Sequence, residues 1–223
     1  MKCFQYLIIL VLALSACECP PSADAPKKII PTEYSRICVL NSVHNTYSIN
    51  IDTKYGNIFE NLLFRKHTNY EKIGSGNNFI NLKYNIFEFY KVAANFGKNA
   101  YYTFIPTGNA EQVQTLLVND DVERLDKSKA YIRIINSHLY LPNLKIINTE
   151  LKGQENFAYR EYTAFVESSV GMENFKFFVE DSLVINLQVK TQAGNCYTIV
   201  PFYSPREKNI YGLTCSVIEL PIP

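Results

Sequence analysis

The chain has no tryptophan, only three histidines, and nearly balanced charge, with 22 Lys+Arg against 21 Asp+Glu in 223 residues. A net charge of +1 provides no basic field to hold a phosphate backbone, which argues against nucleic acid as a partner. Six cysteines are too few for a small disulfide scaffold. The 47% of hydrophobic residues is enough for a buried core, so we expect a folded chain.

Catalytic signatures are also lacking. The sequence contains neither a G-x-S-x-G nucleophile turn nor an H-E-x-x-H zinc motif. His44 and His138 each follow an Asn-Ser pair, but loop histidines without further metal ligands are usually exposed polar residues. The acidic stretch 119–126 lacks the spacing of a calcium loop and is predicted to be a solvated linker. We expect no cofactor, no metal and no enzyme activity; an activity that depended on His44 or His138 is the alternative.

The N-terminus has the pattern of an export signal. Lys2 is followed by an apolar run from Phe4 to Leu14, which is shorter than the ~20 residues of a membrane-spanning helix. The run ends in Leu14-Ser15-Ala16-Cys17, which resembles the lipobox of bacterial lipoproteins. We predict a signal peptide over 1–16 and acylation of Cys17, with a plain secreted protein as the alternative.

Residues 17–33 are rich in proline and have no periodic apolar pattern. Such a segment is semi-extended, so we interpret it as a tether between the lipid and a folded body. The predicted location is the bacterial cell envelope, at the outer membrane or cell surface rather than the inner membrane.

The body of the sequence repeats itself at an offset of 95 residues. Four segments recur at this offset: Ile37–Ser42 at Ile132–Ser137, Ile49–Ile51 at Leu144–Ile146, Glu60–Tyr70 at Glu155–Phe165, and Tyr102–Pro106 at Tyr197–Pro201. A period this long indicates two domains rather than a solenoid. We place them at 34–126 and 127–223.

Each copy has the pattern of a β-sheet protein. Apolar residues alternate with others along 183–190, and short β-branched and aromatic runs recur between Asn, Gly, Ser and Pro. We therefore predict an all-β chain of two tandem immunoglobulin-like β-sandwiches. Ile37 and Val39 are expected to face inward, with Cys38 and its counterpart Arg133 facing outward.

These segments resemble the domain of unknown function 4397 family of bacterial secreted and surface-anchored proteins. The resemblance covers most of 36–215 and is carried by matching elements in both copies: Asn41-Ser42 and Asn136-Ser137, Thr68-Asn69-Tyr70 and Thr163-Ala164-Phe165, and Tyr102-Thr103 and Tyr197-Thr198. The family's usual Pro-Asp-Ala-Pro loop is replaced by Val43-His44-Asn45-Thr46. The resemblance implies no catalytic residue set.

Cysteine pairing is expected in an exported chain. In a symmetric hairpin centred between Pro205 and Arg206, Cys196 lies opposite Cys215, so we predict this disulfide; two unpaired thiols are the alternative. A pairing of Cys19 with Cys38 is the weaker possibility.

The function predicted from the sequence is that of a non-catalytic envelope lipoprotein, acting as a structural or protein-interaction module. Its expected partners are the membrane, through the lipid, and other envelope proteins or glycans. Binding of a glycan or small ligand is the alternative function, because aromatic pairs such as Tyr101-Tyr102, Phe87-Glu88-Phe89-Tyr90 and Phe202-Tyr203 could form a stacking surface.

Overall fold

The computed structural model describes residues 30–141, 143–151 and 154–223. The predicted signal peptide, Cys17, Cys19 and most of the tether lie outside the described residues. None of the helices in the described ranges has the length and apolar character needed to cross a membrane.

Strands form almost all the regular structure of the first sequence copy. Its nine strands are β1 (Tyr34–Val39), β2 (Ser42–Val43), β3 (Ser48–Thr53), β4 (Gly56–Leu63), β5 (Glu71–Gly74), β6 (Gly76–Tyr84), β7 (Phe87–Phe96), β8 (Tyr101–Asn109) and β9 (Gln112–Asp120). A short 3₁₀ turn, Val122–Arg124, then leads to the second copy.

The first copy contains two sheets. In one, called inner sheet 1, β1 lies between β5 and β8. The short strand β2 pairs with β8 on the same side as β1, further along β8, and β9 pairs with the other side of β8. The other, called outer sheet 1, has the order β4-β3-β6-β7. The pairing of β1 with β8 is parallel, whereas β8 and β9 form an antiparallel hairpin.

The second copy has the same arrangement within its described residues. Its strands are β10 (Ala130–Ile134), β11 (Leu144–Ile147), β12 (Gln154–Phe157), β13 (Val166–Ser168), β14 (Gly171–Val179), β15 (Ser182–Thr191), β16 (Asn195–Tyr203) and β17 (Leu213–Pro221). Inner sheet 2 has the order β13-β10-β16-β17, and outer sheet 2 has the order β12-β11-β14-β15. Each strand therefore has a counterpart in the first copy.

Individual hydrogen bonds also recur 95 residues apart. The backbone N–H of Val39 donates to the hydroxyl of Thr68 at 3.0 Å, and that of Ile134 donates to the hydroxyl of Thr163 at 3.0 Å. The parallel pairing of β1 with β8 is repeated, in the same register, by β10 and β16. The sequence repeat thus corresponds to equivalent backbone geometry in both copies.

Three buried clusters hold the four sheets together. Two of them lie between the inner and outer sheet of the same copy, and Ile37 and Val39 belong to the first, as expected. The third, called the seam, lies between the two inner sheets and consists of Cys38, Leu40, Tyr101, Ile105, Leu116, Val118, Val122, Ile135, Cys196, Val200, Ile218, Leu220 and Ile222. The two copies therefore share buried surface.

The seam overturns the expected orientation of two residues. Cys38 and Arg133 were expected to face solvent, but Cys38 is fully buried and Arg133 is only 3% exposed. Alternation along the strand correctly separates the two faces of β1. The outward face is nevertheless buried, because the inner sheet of the other copy covers it.

Candidate functional site

A buried ion pair lies within the seam. Nη2 of Arg133, from the second copy, donates to Oδ1 of Asp120, from the first, at 2.5 Å. The hydroxyls of Tyr70 and Thr103 donate to Oδ2 of the same carboxylate at 2.6 and 2.7 Å. Arg133 is further held by its Nε bond to the hydroxyl of Thr198. Nε and Nη2 of Arg133 and both carboxylate oxygens of Asp120 thus meet a partner, as charges removed from water require.

This cluster is structural in character, because its charged atoms are sealed from solvent. The side chains of Arg133 and Asp120 are 3% and 0% exposed. Burial, and then the adjacent Asp120 carboxylate, raise the pKa of Tyr70, so its phenol remains a proton donor. The prediction that 119–126 is a solvated linker is therefore wrong for Asp120, which is buried. Asp121 lies on the surface, in an exposed ion pair with Arg124.

At one end of the seam, two asparagine side chains shape the corners that follow β1 and β10. Oδ1 of Asn41 accepts the N–H of Val43 at 3.1 Å, and Nδ2 donates to the backbone carbonyl 21 residues further along. Asn136 makes the same pair of bonds in the second copy, where the N–H of His138 is the donor. These bonds fix the backbone from which His44 and His138 project.

The two histidines meet around one tyrosine. The ring centroid of Tyr203 lies 5.0 Å from that of His44, 5.8 Å from that of His138 and 4.7 Å from that of Tyr140, all in edge-to-face contacts. Such geometry is favourable for aromatic rings. The expectation that these histidines are merely exposed loop residues is wrong for His138, which is fully buried.

An open pocket of about 400 Å³ lies in front of these rings. It is called the seam pocket and is lined by His44, Tyr140, Leu141, Tyr203, Ile210 and Tyr211. Its walls come from both copies, and no lining residue carries a formal charge when His44 is neutral.

Burial favours the neutral form of both imidazoles. It lowers the pKa of His138 to about 4 and also lowers the pKa of His44. Nε2 of His138 lies 3.2 Å from the carbonyl oxygen of Tyr211, and since a carbonyl can only accept, Nε2 carries the proton. Nδ1 of His138 is then a bare acceptor, and within the described residues neither it nor Nδ1 of His44 has a hydrogen-bond partner.

Comparison with known sequences identifies a family. The sequence model described as "Domain of unknown function (DUF4397)" matches residues 35–147. The chain belongs to this family. The match confirms the resemblance seen in the sequence, and it covers the first copy and the opening strands of the second.

Two crystal structures of candidate cell adhesion proteins are also similar to this DUF4397 chain. The one from Bacteroides uniformis has 9% identity and a TM-score of 0.25, with 84% of this chain and 99% of that chain covered. The one from Bacteroides eggerthii has 7% identity and a TM-score of 0.21, with 86% and 97% covered. No curated protein matches the chain.

The predicted disulfide is wrong. Cys38, Cys196 and Cys215 are free thiols, and the hairpin of β16 and β17 places Cys196 opposite Leu220 and Cys215 opposite Pro201. The register differs from the symmetric hairpin because the loop between the strands is longer than expected, running from 204 to 212. Burial raises the pKa of Cys38 and of Cys196 to about 12, so neither is a reactive thiolate.

The aromatic residues singled out in the sequence divide between core and surface. Tyr101, Tyr102 and Phe202 are buried, Phe87 is 71% exposed at the tip of the β6–β7 hairpin, and Tyr203 lies in the seam pocket. Sequence reasoning missed Tyr140, Tyr211 and Ile210. The sequence feature that came nearest to indicating the pocket was the histidine that follows each Asn-Ser corner of this DUF4397 chain.

The absence of a metal site remains a prediction. The described residues bring together no group of three or more His, Cys, Asp or Glu able to hold an ion.

Proposed function

We propose that this DUF4397 chain is a non-catalytic lipoprotein of the bacterial envelope, which displays its β-sheet body from an acylated Cys17. The observation that carries the proposal is the order Leu14-Ser15-Ala16-Cys17 at the end of a signal-like apolar run. Several acyl chains would make such an anchor effectively permanent, at ~0.8 kcal/mol per buried methylene. The expected location is the outer membrane or cell surface.

The start of the body fits this display. β1 begins at Tyr34, so 16 residues separate Cys17 from the first strand. At ~3.1 Å per residue, an extended proline-rich segment of this length reaches about 50 Å. We further propose that the copies, with boundaries at 34–126 and 127–223, are tandem immunoglobulin-like sandwiches. The support is that each places its strands in two sheets with a buried cluster between them.

A metabolic labelling experiment tests the anchor. Cells expressing the full chain are grown with radiolabelled palmitate, and wild type is compared with Cys17→Ala and with the matched control Cys19→Ala. Wild type and Cys19→Ala should incorporate label and sediment with membranes, whereas Cys17→Ala should lose both properties. An unlabelled wild type, or label retained by Cys17→Ala, would contradict the proposal.

A role in ligand binding is the second candidate for the displayed body. The seam pocket favours it, because the pocket combines aromatic walls with polar atoms that have no protein partner. Other envelope proteins remain the alternative partners of a purely structural module.

A further inference from the structure

The seam pocket lies at the far end of inner sheet 1 from Tyr34, where β1 begins. β1 and β2 run along β8 in one direction, with Arg36 beside Tyr101 at the start and Val43 beside Gly108 at the end. At about 3.3 Å per residue, this stretch of β8 is about 23 Å long. The first strand begins at the Tyr34 end, whereas His44 lies at the far end, where its N–H donates to the carbonyl of Gly108. A body held by its N-terminus therefore presents the pocket at the end of inner sheet 1 away from Tyr34.

The walls of the pocket are aromatic and uncharged. Three of the six lining side chains are tyrosines, one is an imidazole and two are aliphatic. A charged ligand would find no opposite charge among them. A volume of about 400 Å³ suits a small molecule, since ligand pockets typically measure about 300–1,000 Å³.

The pocket region also has unused hydrogen-bonding capacity. Nδ1 of His44 belongs to a pocket wall and has no partner, and Nδ1 of the adjacent His138 is an unpartnered acceptor on a fully buried ring. The hydroxyls of Tyr140 and Tyr203, two of the lining residues, add polar groups at the pocket wall. A wholly apolar ligand would cover the tyrosine hydroxyls without offering them a hydrogen-bond partner, which carries an energetic cost.

We propose that the seam pocket binds a neutral saccharide. A sugar ring offers an apolar C–H face, which packs against the tyrosine rings, and hydroxyl groups that both donate and accept. Its hydroxyls can bond to the phenol hydroxyls and the imidazole that the pocket walls present. A neutral sugar also needs no counter-charge, in keeping with the uncharged walls.

A titration of the full chain tests the inference, with the protein held in a detergent that has no sugar headgroup. The probes are glucose, galactose, mannose and N-acetylglucosamine, each measured by calorimetry and by saturation-transfer NMR. Glucuronate and glucosamine serve as the matched anionic and cationic analogues. At least one neutral sugar should bind saturably with a dissociation constant of about 1 mM or tighter, and its charged analogue should bind at least about tenfold more weakly.

Variants then locate the binding. Tyr140→Ala, at a half-exposed position, should weaken binding of that sugar at least about tenfold, and His44→Gln should weaken it as well. The matched control is Tyr162→Ala, since Tyr162 is similarly exposed at 57% but does not line the pocket. It should bind as wild type does. Failure of every neutral sugar, equal binding of the charged analogues, or unchanged affinity in Tyr140→Ala would overturn the inference.

The inference takes up the second candidate role and does not depend on the lipid anchor. Palmitate on Cys17 without sugar binding would leave the anchor standing and remove the saccharide. Sugar binding by a chain that carries no palmitate would do the reverse.

Discussion

Arg133 and Asp120 form a buried ion pair across the seam, with 2.5 Å between Nη2 of Arg133 and Oδ1 of Asp120. The pair is not repeated at the equivalent positions of the two copies. The counterpart of Arg133 in the first copy is Cys38, which lies 95 residues earlier. The counterpart of Asp120 in the second copy is Leu220, which has the same register position in β17 as Asp120 has in β9. The two copies thus meet through a charged pair on one side and through apolar residues on the other.

Breaking this pair should destabilise the protein strongly. Arg133→Met leaves the buried Asp120 carboxylate without its counter-charge, and we expect a loss of about 3–5 kcal/mol in the free energy of unfolding. Urea denaturation measures the change. Lys129→Met, which breaks the exposed pair with Glu167, is the control and should cost about 1 kcal/mol or less.

The double variant Arg133→Met/Asp120→Leu replaces the pair by apolar side chains like those on the other side of the seam. It should lose less stability than Arg133→Met alone, because no charge is left buried without a partner. If the losses of the two single variants simply add in the double variant, the ion-pair interpretation fails.

Acid should weaken the fold through His138. Its pKa is about 4 in the folded protein and close to 6.5 in an unfolded chain, so the unfolded state binds the proton more readily. Above pH 6.5 the imidazole is neutral in both states and no stability is lost; the loss grows as the pH falls and reaches about 3 kcal/mol at pH 4.

Other groups titrate in the same range, so the contribution of His138 is measured as the difference in pH dependence between wild type and His138→Gln. Unfolding curves between pH 4 and 7 should show that wild type loses about 3 kcal/mol more than His138→Gln over this window. His67→Gln, outside the aromatic cluster, should follow wild type. Parallel pH profiles for wild type and His138→Gln would contradict the neutral, buried state of His138.

The buried cysteines Cys38 and Cys196 should behave as protected thiols. In the folded chain, alkylation of Cys38 and Cys196 should be roughly a hundredfold or more slower than in urea, because burial keeps both thiols protonated. In urea without reductant, Cys38, Cys196 and Cys215 should all be labelled, as mass spectrometry of the peptides would show. A disulfide-linked peptide containing Cys196 and Cys215 would refute the register of the β16–β17 hairpin.

Much of the fold was predictable because the repeat and the alternation of side chains are local properties. The offset of 95 residues anticipates matched hydrogen bonds such as those of Asn41 and Asn136. Alternation also separates the faces of β15, except that a bulge opposite Phe177 and Phe178 turns Leu183 outward, leaving it 52% exposed. A bulge adds one residue to a strand and reverses the faces beyond it, which no periodic pattern anticipates.

The seam and its pocket could not be predicted in the same way. Alternation shows that Cys38 and Arg133 share a face, but not that a second sheet covers it. The loop over 204–212 sets the hairpin register and brings Ile210 and Tyr211 to the pocket, and its length has no periodic signal. Contacts between the copies depend on how the sheets pack, so Tyr140 and Tyr203 meet only in three dimensions.

The two copies form one body through the seam, which carries both the ion pair and the pocket. Hydrogen exchange of the full chain, read by mass spectrometry for wild type and Arg133→Met, tests it most directly. The reporters are β6 and β14, which lie in the two outer sheets, away from the substitution. If the copies unfold as one unit, both strands should exchange at least about a hundredfold faster in Arg133→Met. Faster exchange of β14 alone, with β6 as protected as in wild type, would contradict the claim.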